Sequence, residues 1–159
     1  MIERAPSFDD WVAARGPALL RLATLLAGNP HDAQDVVQDA LSKVWPRWDR
    51  ISSLEDPDAY VRRMVVNGHT SWWRRFRRRE TPVADTRPEV VSDVLPDDRD
   101  RLWEACRRLP EDQRVAVVLR YWEQLEYAEI ADLTGVREGT VRSRVSRGLA
   151  TLRTLVEER

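Results

Sequence analysis

Thr140, Arg142, Ser143, Arg144 and Arg147 lie close together on one amphipathic segment near the C-terminus. At ~100° per residue, Val141, Val145, Leu149, Leu152 and Val156 form a single apolar stripe. Thr140, Ser143, Arg147 and Ala150 point away from that stripe, and Arg142 and Arg144 flank the exposed strip on either side. Hydroxyls and guanidinium groups on one exposed face are what base edges and phosphates in a major groove require. Just before this segment, Tyr127 to Leu133 reads as a short helix and Thr134-Gly135-Val136 as a tight turn. Helix, glycine turn and longer helix make a helix-turn-helix. Ala131 is small enough for the two helices to cross closely, and Val136 and Val141 fill the angle between them. A plain helical hairpin with a solvated basic face shares the periodicity, but not the combination of turn and face chemistry.

A second group follows Asn67. It consists of Trp72 and Trp73 and the arginines Arg74, Arg75, Arg77 and Arg78. Guanidinium groups attract a phosphate backbone, aromatic rings stack on unpaired bases, and an Asn amide can bond a base edge. The grouping suits melted or single-stranded DNA as well as duplex. At least one of the two tryptophans is expected in the core.

A third group is acidic. On a helical projection Asp32, Gln38, Asp39 and Ser42 fall within about 60° of Asp35. Ala33, Val36, Val37, Ala40, Leu41 and Val44 take the other side. An acidic strip beside a broad apolar face suits docking onto a basic partner helix. A metal site is disfavoured, because one helix presents its carboxylates on a convex surface.

Other chemistries find little support. There is no Ser/His/Asp set, no glycine-rich phosphate loop and no zinc-protease motif, so no catalytic residues and no cofactor are expected. Cys106 is the only cysteine, and His31 and His69 are the only histidines, which excludes an internal disulfide and disfavours structural zinc. The histidines read as surface or packing residues. No apolar run approaches the ~20 residues of a membrane span, and Met1 to Pro6 lacks the basic-then-apolar order of a secretory signal. The expected location is the cytoplasm.

The net charge of −1 conceals a segregation. Residues 1–60 carry 6 basic and 10 acidic side chains, and residues 81–136 carry 7 and 13. Between them, residues 61–80 carry 7 basic and 1 acidic, and residues 137–159 carry 6 and 3. Two basic islands in an acidic background suggest two separate contacts with a polyanion. The excess of arginine over lysine, 25 to 1, is weaker evidence, since a GC-rich genome produces the same bias.

The elements that must carry these groups are helices. Glycine is scarce and strand-like alternation nearly absent, so the chain is read as all-α. Ser7 caps a first helix running to about Ala27, with Phe8, Trp11, Leu19, Leu22, Leu25 and Leu26 buried and Gly28 closing it. Gly16-Pro17 is expected to break or kink it. Asn29-Pro30 starts a second helix to about Trp45, and Asp56-Pro57 a third to about Arg79. Thr81-Pro82, Arg87-Pro88 and Leu95-Pro96 then interrupt any helix. This gives two small helical domains, 1–80 and 97–159, joined by an extended linker at 81–96. Four helical pieces are expected in the second, near 98–108, 111–123, 127–133 and 138–156.

In this order, the motifs resemble those of bacterial sigma factors of the extracytoplasmic-function group, in an actinobacterial sigma-E-type branch. Asn29 to Leu41 is similar to that family's core-polymerase-binding helix. Tyr60 to Asn67 and Ser71-Trp72-Trp73-Arg74-Arg75 are similar to its −10 recognition segment. Leu109-Pro110, Leu119-Arg120-Tyr121 and Tyr127 to Ala131 resemble the start of its second domain, and Gly139 to Arg144 with Arg147 its −35 recognition helix. The resemblance runs from Phe8 to about Leu155. It implies a protein without covalent chemistry that binds core RNA polymerase and directs promoter-specific initiation. Asp32, Asp35, Gln38 and Asp39 would dock on the β′ clamp helices, and Asn67 and its neighbours would capture a flipped −10 base. The helix-turn-helix would read the −35 element of promoter DNA and touch the β flap. An anti-sigma protein is a further partner the resemblance allows. A stand-alone helix-turn-helix regulator, or a DNA-processing enzyme carrying such a motif, is the alternative from the residues alone.

Overall fold

The computed structural model describes residues 4–77 and 98–158, with side-chain detail beginning again at Arg101 after the gap. The described residues contain helices and no strand. They divide into two compact units, Met1–Ser71 and Trp72–Arg159.

In the first unit, α1 spans Phe8–Ala27, and Ser7 caps it by accepting a hydrogen bond from the Asp10 N–H at 3.2 Å. Gly28, at φ 82°, ends it in the left-handed region that glycine adopts without steric cost. Pro17 lies inside α1 and does not break it. Helix α2 spans Pro30–Val44. Its cap is reciprocal: the Asn29 side chain accepts from the Asp32 N–H at 2.8 Å and donates to the Asp32 carboxylate at 2.8 Å. A 3-10 turn at Trp45–Arg47 leads into a short helix absent from the sequence reading, α3, Trp48–Ser52. Pro46 punctuates the end of α2, and the turn brings Trp48 back onto α1. The Trp48 ring lies 5.3 Å from that of Trp11 and 5.7 Å, edge-on, from that of Phe8. Helix α4, Pro57–Arg77, begins in this unit and continues past its last residue, Ser71; Asp56 accepts from the Ala59 N–H at 3.0 Å as its cap.

The core of this unit is the closed seam of Leu22, Leu26, Ala33, Val44, Val61, Val65 and Val66, each at most 1% exposed. Burying such side chains contributes ~1.5–3 kcal/mol each. Two polar ties fix α1 against the start of α4. The Trp11 indole N–H donates to Asp58 at 2.8 Å, and the Arg15 guanidinium lies 3.1 Å from the same carboxylate.

The second unit holds α5, Asp98–Arg107; α6, Glu111–Val117; α7, Tyr127–Thr134; and α8, Glu138–Glu157. Helix α6 widens at its end into a π-helical turn, Val118–Trp122. The chain then turns through Gln124 at φ 57°, and the Leu125 N–H donates to the Leu119 carbonyl at 3.0 Å. Glu126 caps α7, its N–H donating to the Glu129 side chain at 3.3 Å. Leu125 and Ile130 stand at hydrophobic-staple spacing around that start, and both are buried. Helix α8 packs its stripe on α5, α6 and α7. Ala105, Cys106, Leu109, Val117 and Leu152 form one cluster, with Leu149 and Leu155 against it. Val156, assigned to the same stripe, is instead 52% exposed, because the helix outruns the elements that cover it.

Candidate nucleic-acid interface

The turn between α7 and α8 is built by Gly135. At φ 73° it closes α7, and the N–H groups of Gly135 and Val136 both donate to the Ala131 carbonyl, at 2.9 and 3.2 Å. Ile130, Ala131 and Thr134 of α7 and Val141 and Val145 of α8 are buried between the two helices. The Thr134 hydroxyl donates to the Ile130 carbonyl at 2.6 Å, which lets a polar residue sit in the crossing without an unmet bond. Two helices held this way leave one side of α8 clear.

Thr140, Arg142, Ser143 and Arg147 are all exposed on that clear side. Arg142 is not a loose side chain. It donates to Glu138, one turn earlier, at 3.0 Å, and its guanidinium lies over the Tyr127 ring, 4.5 Å from the centroid. Arg144 departs from the expectation that it flanks the exposed strip. Its side chain is 19% exposed and pairs with Asp112 of α6 at 3.6 Å. The reason lies one turn on, at Gly148, where the missing side chain lets α6 come close to α8. Arg144 sits on the flank facing that approach, and a helical projection does not show which neighbour covers a flank.

In α4, Asn67 is exposed, while Val65, Val66, His69 and Thr70 are buried. The Thr70 hydroxyl donates to the Val66 carbonyl at 2.8 Å. Gly68, His69 and Thr70 therefore lie within a continuous helix, which presents Asn67 and Ser71 outward, one turn apart. Trp72 and Trp73 are both partly buried, so neither is wholly core and neither is a free stacking platform. Arg75 is exposed. Arg78 and the side chains of Arg74 and Arg77 lie outside the described residues, as does the expected linker at 81–96.

On α2 the division of faces follows the spacing. Ala33, Val36, Val37, Ala40 and Val44 are buried, and Asp35, Gln38 and Asp39 are exposed. Asp39 pairs with Lys43 at 3.1 Å along the helix surface. Asp32 stands apart: it is partly buried and committed to the cap with Asn29. Beside the strip, Phe8, Asp9 and Val12 of α1 and Gln38, Leu41, Ser42 and Trp45 line an open groove of about 370 Å³. Trp45 is 67% exposed at its rim, a feature the periodicity did not single out because it lies just past the end of α2. Among the described residues no helix is long and apolar enough to cross a membrane.

Comparison with known proteins places both units. Residues 11–80 match the family described as Sigma-70 region 2, and residues 99–152 match Sigma-70, region 4. The RNA polymerase sigma-E factor of Streptomyces avermitilis is 40% identical, over 96% of this chain and 86% of its own length. The sigma-E factor of Streptomyces coelicolor is 39% identical, over 92% of this chain and 84% of its own. Among solved structures, the sigma factor RpoE in complex with the anti-sigma factor NepR from Bartonella quintana aligns with a TM-score of 0.59. It is 26% identical and covers 96% of this chain and 98% of that chain.

Proposed function

The chain belongs to the sigma-70 family, in its extracytoplasmic-function group, and directs transcription initiation as a sigma factor; from that premise we propose which faces do the work. One observation carries the proposal. In each unit a charged face lies opposite a largely buried apolar stripe, acidic on α2 and basic on α8. The acidic face, Asp35, Gln38 and Asp39, docks on the β′ clamp helices of core RNA polymerase. Asp32 contributes chiefly by holding the N-terminus of that helix in place. Asn67, together with Trp72, Trp73 and Arg74, Arg75, Arg77 and Arg78, engages the melted −10 element. Thr140, Arg142, Ser143 and Arg147 read the −35 element, and the second unit contacts the β flap.

The protein acts in the cytoplasm by binding and positioning, with no covalent step of its own. The two basic islands, at 61–80 and 137–159, are separated in the chain by the acidic stretch 81–136, and core polymerase provides the frame that sets their spacing on DNA. Once the first contact has formed, the second benefits from a raised effective concentration. Binding of the isolated chain to promoter duplex is then weak and salt-sensitive. The solved relative bound to an anti-sigma factor supports a restraining partner of that kind here as well.

The test combines Asp35→Arg with Gln38→Ala. Exposed changes of this type rarely unfold a domain. The double variant should keep its helical content and lose retention on core polymerase. Retention equal to the parent chain would remove this docking face. Tight, sequence-specific promoter binding by the isolated chain would favour a stand-alone regulator.

A further inference from the structure

The geometry points to Tyr127 as a positioning residue that pre-orders Arg142 for −35 recognition, an inference that rests on Arg142 being a DNA-reading residue. Two guanidinium groups lie over one ring, Arg120 at 4.6 Å and Arg142 at 4.5 Å from its centroid. Each arginine is also tied at its edge. Arg120 donates to the Leu125 carbonyl at 3.0 Å and lies 3.9 Å from Glu126, and Arg142 donates to Glu138 at 3.0 Å. The π-helical turn and the reversal at Gln124 bring Arg120 to the ring, and the glycine turn brings Arg142 there from α8. The ring therefore joins the segment before α7 to the proposed reading face of α8.

A stacked guanidinium keeps most of its N–H donors in the ring plane of the group itself, pointing outward. That is the arrangement needed for a bidentate contact with a base edge or phosphate. An arginine free in solvent must lose its rotamer freedom on binding, whereas one already stacked loses less. The Arg142 side chain is 61% exposed, so the stack orders it without hiding it. Tyr127 is itself only partly buried, and an aliphatic residue would fill the same space without attracting either cation.

The experiment uses holoenzyme assembled from core polymerase and the full chain, selected on a promoter library randomised at the −35 element. Arg142→Ala should relax preference at one or two positions. Tyr127→Leu should relax the same positions by about two- to fivefold, the range of an exposed cation–π contact. Tyr127→Phe should restore the parent preference, and Tyr127→Leu combined with Arg142→Ala should match Arg142→Ala alone. Should Tyr127→Leu melt the unit, pentafluorophenylalanine at position 127 replaces it, with the same ring shape and a reversed quadrupole. Uniform loss across all sequences, loss at other positions, an additive double variant, or no change with Tyr127→Leu each overturns the positioning role while Arg142 stands. Parent-like preference with Arg142→Ala overturns the reading of Arg142 and the inference with it.

Discussion

Replacing Gly148 by alanine tests how α8 is seated. A β-carbon at Gly148 would lie 2.6 Å from Val117 Cγ2, 3.4 Å from the Gln113 carbonyl oxygen and 3.6 Å from Gln113 Cβ. Carbon atoms in contact prefer ~3.5–4.0 Å, so about 1 Å must be gained. Val117 has little room to supply it. It is 6% exposed, and a β-branched side chain in a helix has one strongly preferred rotamer. Helix α6 or α8 must shift, and overpacking of this sort costs ~1–3 kcal/mol. Alanine returns ~1 kcal/mol of helix propensity relative to glycine. Those two terms leave Gly148→Ala destabilised by ~0–2 kcal/mol.

Gly139→Ala is the reference, because nothing lies within 4 Å of its β-carbon. It keeps the propensity gain without the clash, so the two variants should differ by ~1–3 kcal/mol. In a domain of this size each kcal/mol moves Tm by ~4–8 °C. Urea and thermal unfolding of the full chain, followed by circular dichroism, measure the difference. Adding Val117→Ala to Gly148→Ala removes the clash, so the pair should be more stable than the two single effects added, by ~0.5 kcal/mol or more. The argument fails if Gly148→Ala is as stable as Gly139→Ala, or if the pair is additive.

Three further outcomes follow from the geometry. Asn29→Ala removes both bonds of the reciprocal cap and should cost about 1 kcal/mol in unfolding experiments, whereas Asp35→Ala should leave stability within ~0.5 kcal/mol of the parent. Arg147→Ala should lose ~1–3 kcal/mol of discrimination if it contacts a base, visible as loss on particular −35 sequences in run-off transcription, or a uniform loss if it contacts phosphate. Burial pushes the Cys106 thiol above its ordinary value of 9.0, with the Arg114 charge partly opposing. The folded state thus favours the neutral thiol, and its contribution to stability is intact below pH 9 and is lost as pH rises toward the folded value. Cys106→Ala should flatten that alkaline slope in pH-dependent urea unfolding, and the parent thiol should react with iodoacetamide only slowly while folded.

Local chemistry was legible in the chain alone. Ser7, Asn29 and Gly28 mark helix ends because capping is settled by the residue and its immediate neighbours, and all three stand at the ends they signal. The same holds for Gly135, where only a left-handed residue closes α7 into the turn. The apolar side of α2 and the crossing of α7 on α8 were readable because helical periodicity reports which face is hidden. Periodicity does not report what hides it. Pro17 was expected to interrupt α1, yet the helix is continuous, with α2 packed along it and Trp11 tied to Asp58. Trp48 lies between the second and third expected helices, where periodicity assigns it no face, and the turn at Pro46 folds it onto Trp11 and Phe8. Asp32 and Asp35 are alike in type and face, and only the position of the Asn29 amide separates a cap from a free carboxylate. On α8 the sequence placed Arg142 and Arg144 as equivalent flanks. Tertiary packing decided between them, because α6 approaches at Gly148 and offers Asp112 to one, while the ring of Tyr127 lies on the side of the other. Caps and periodicity are properties of neighbours in the chain, but the partner of a flanking side chain is set by which distant helix is packed there.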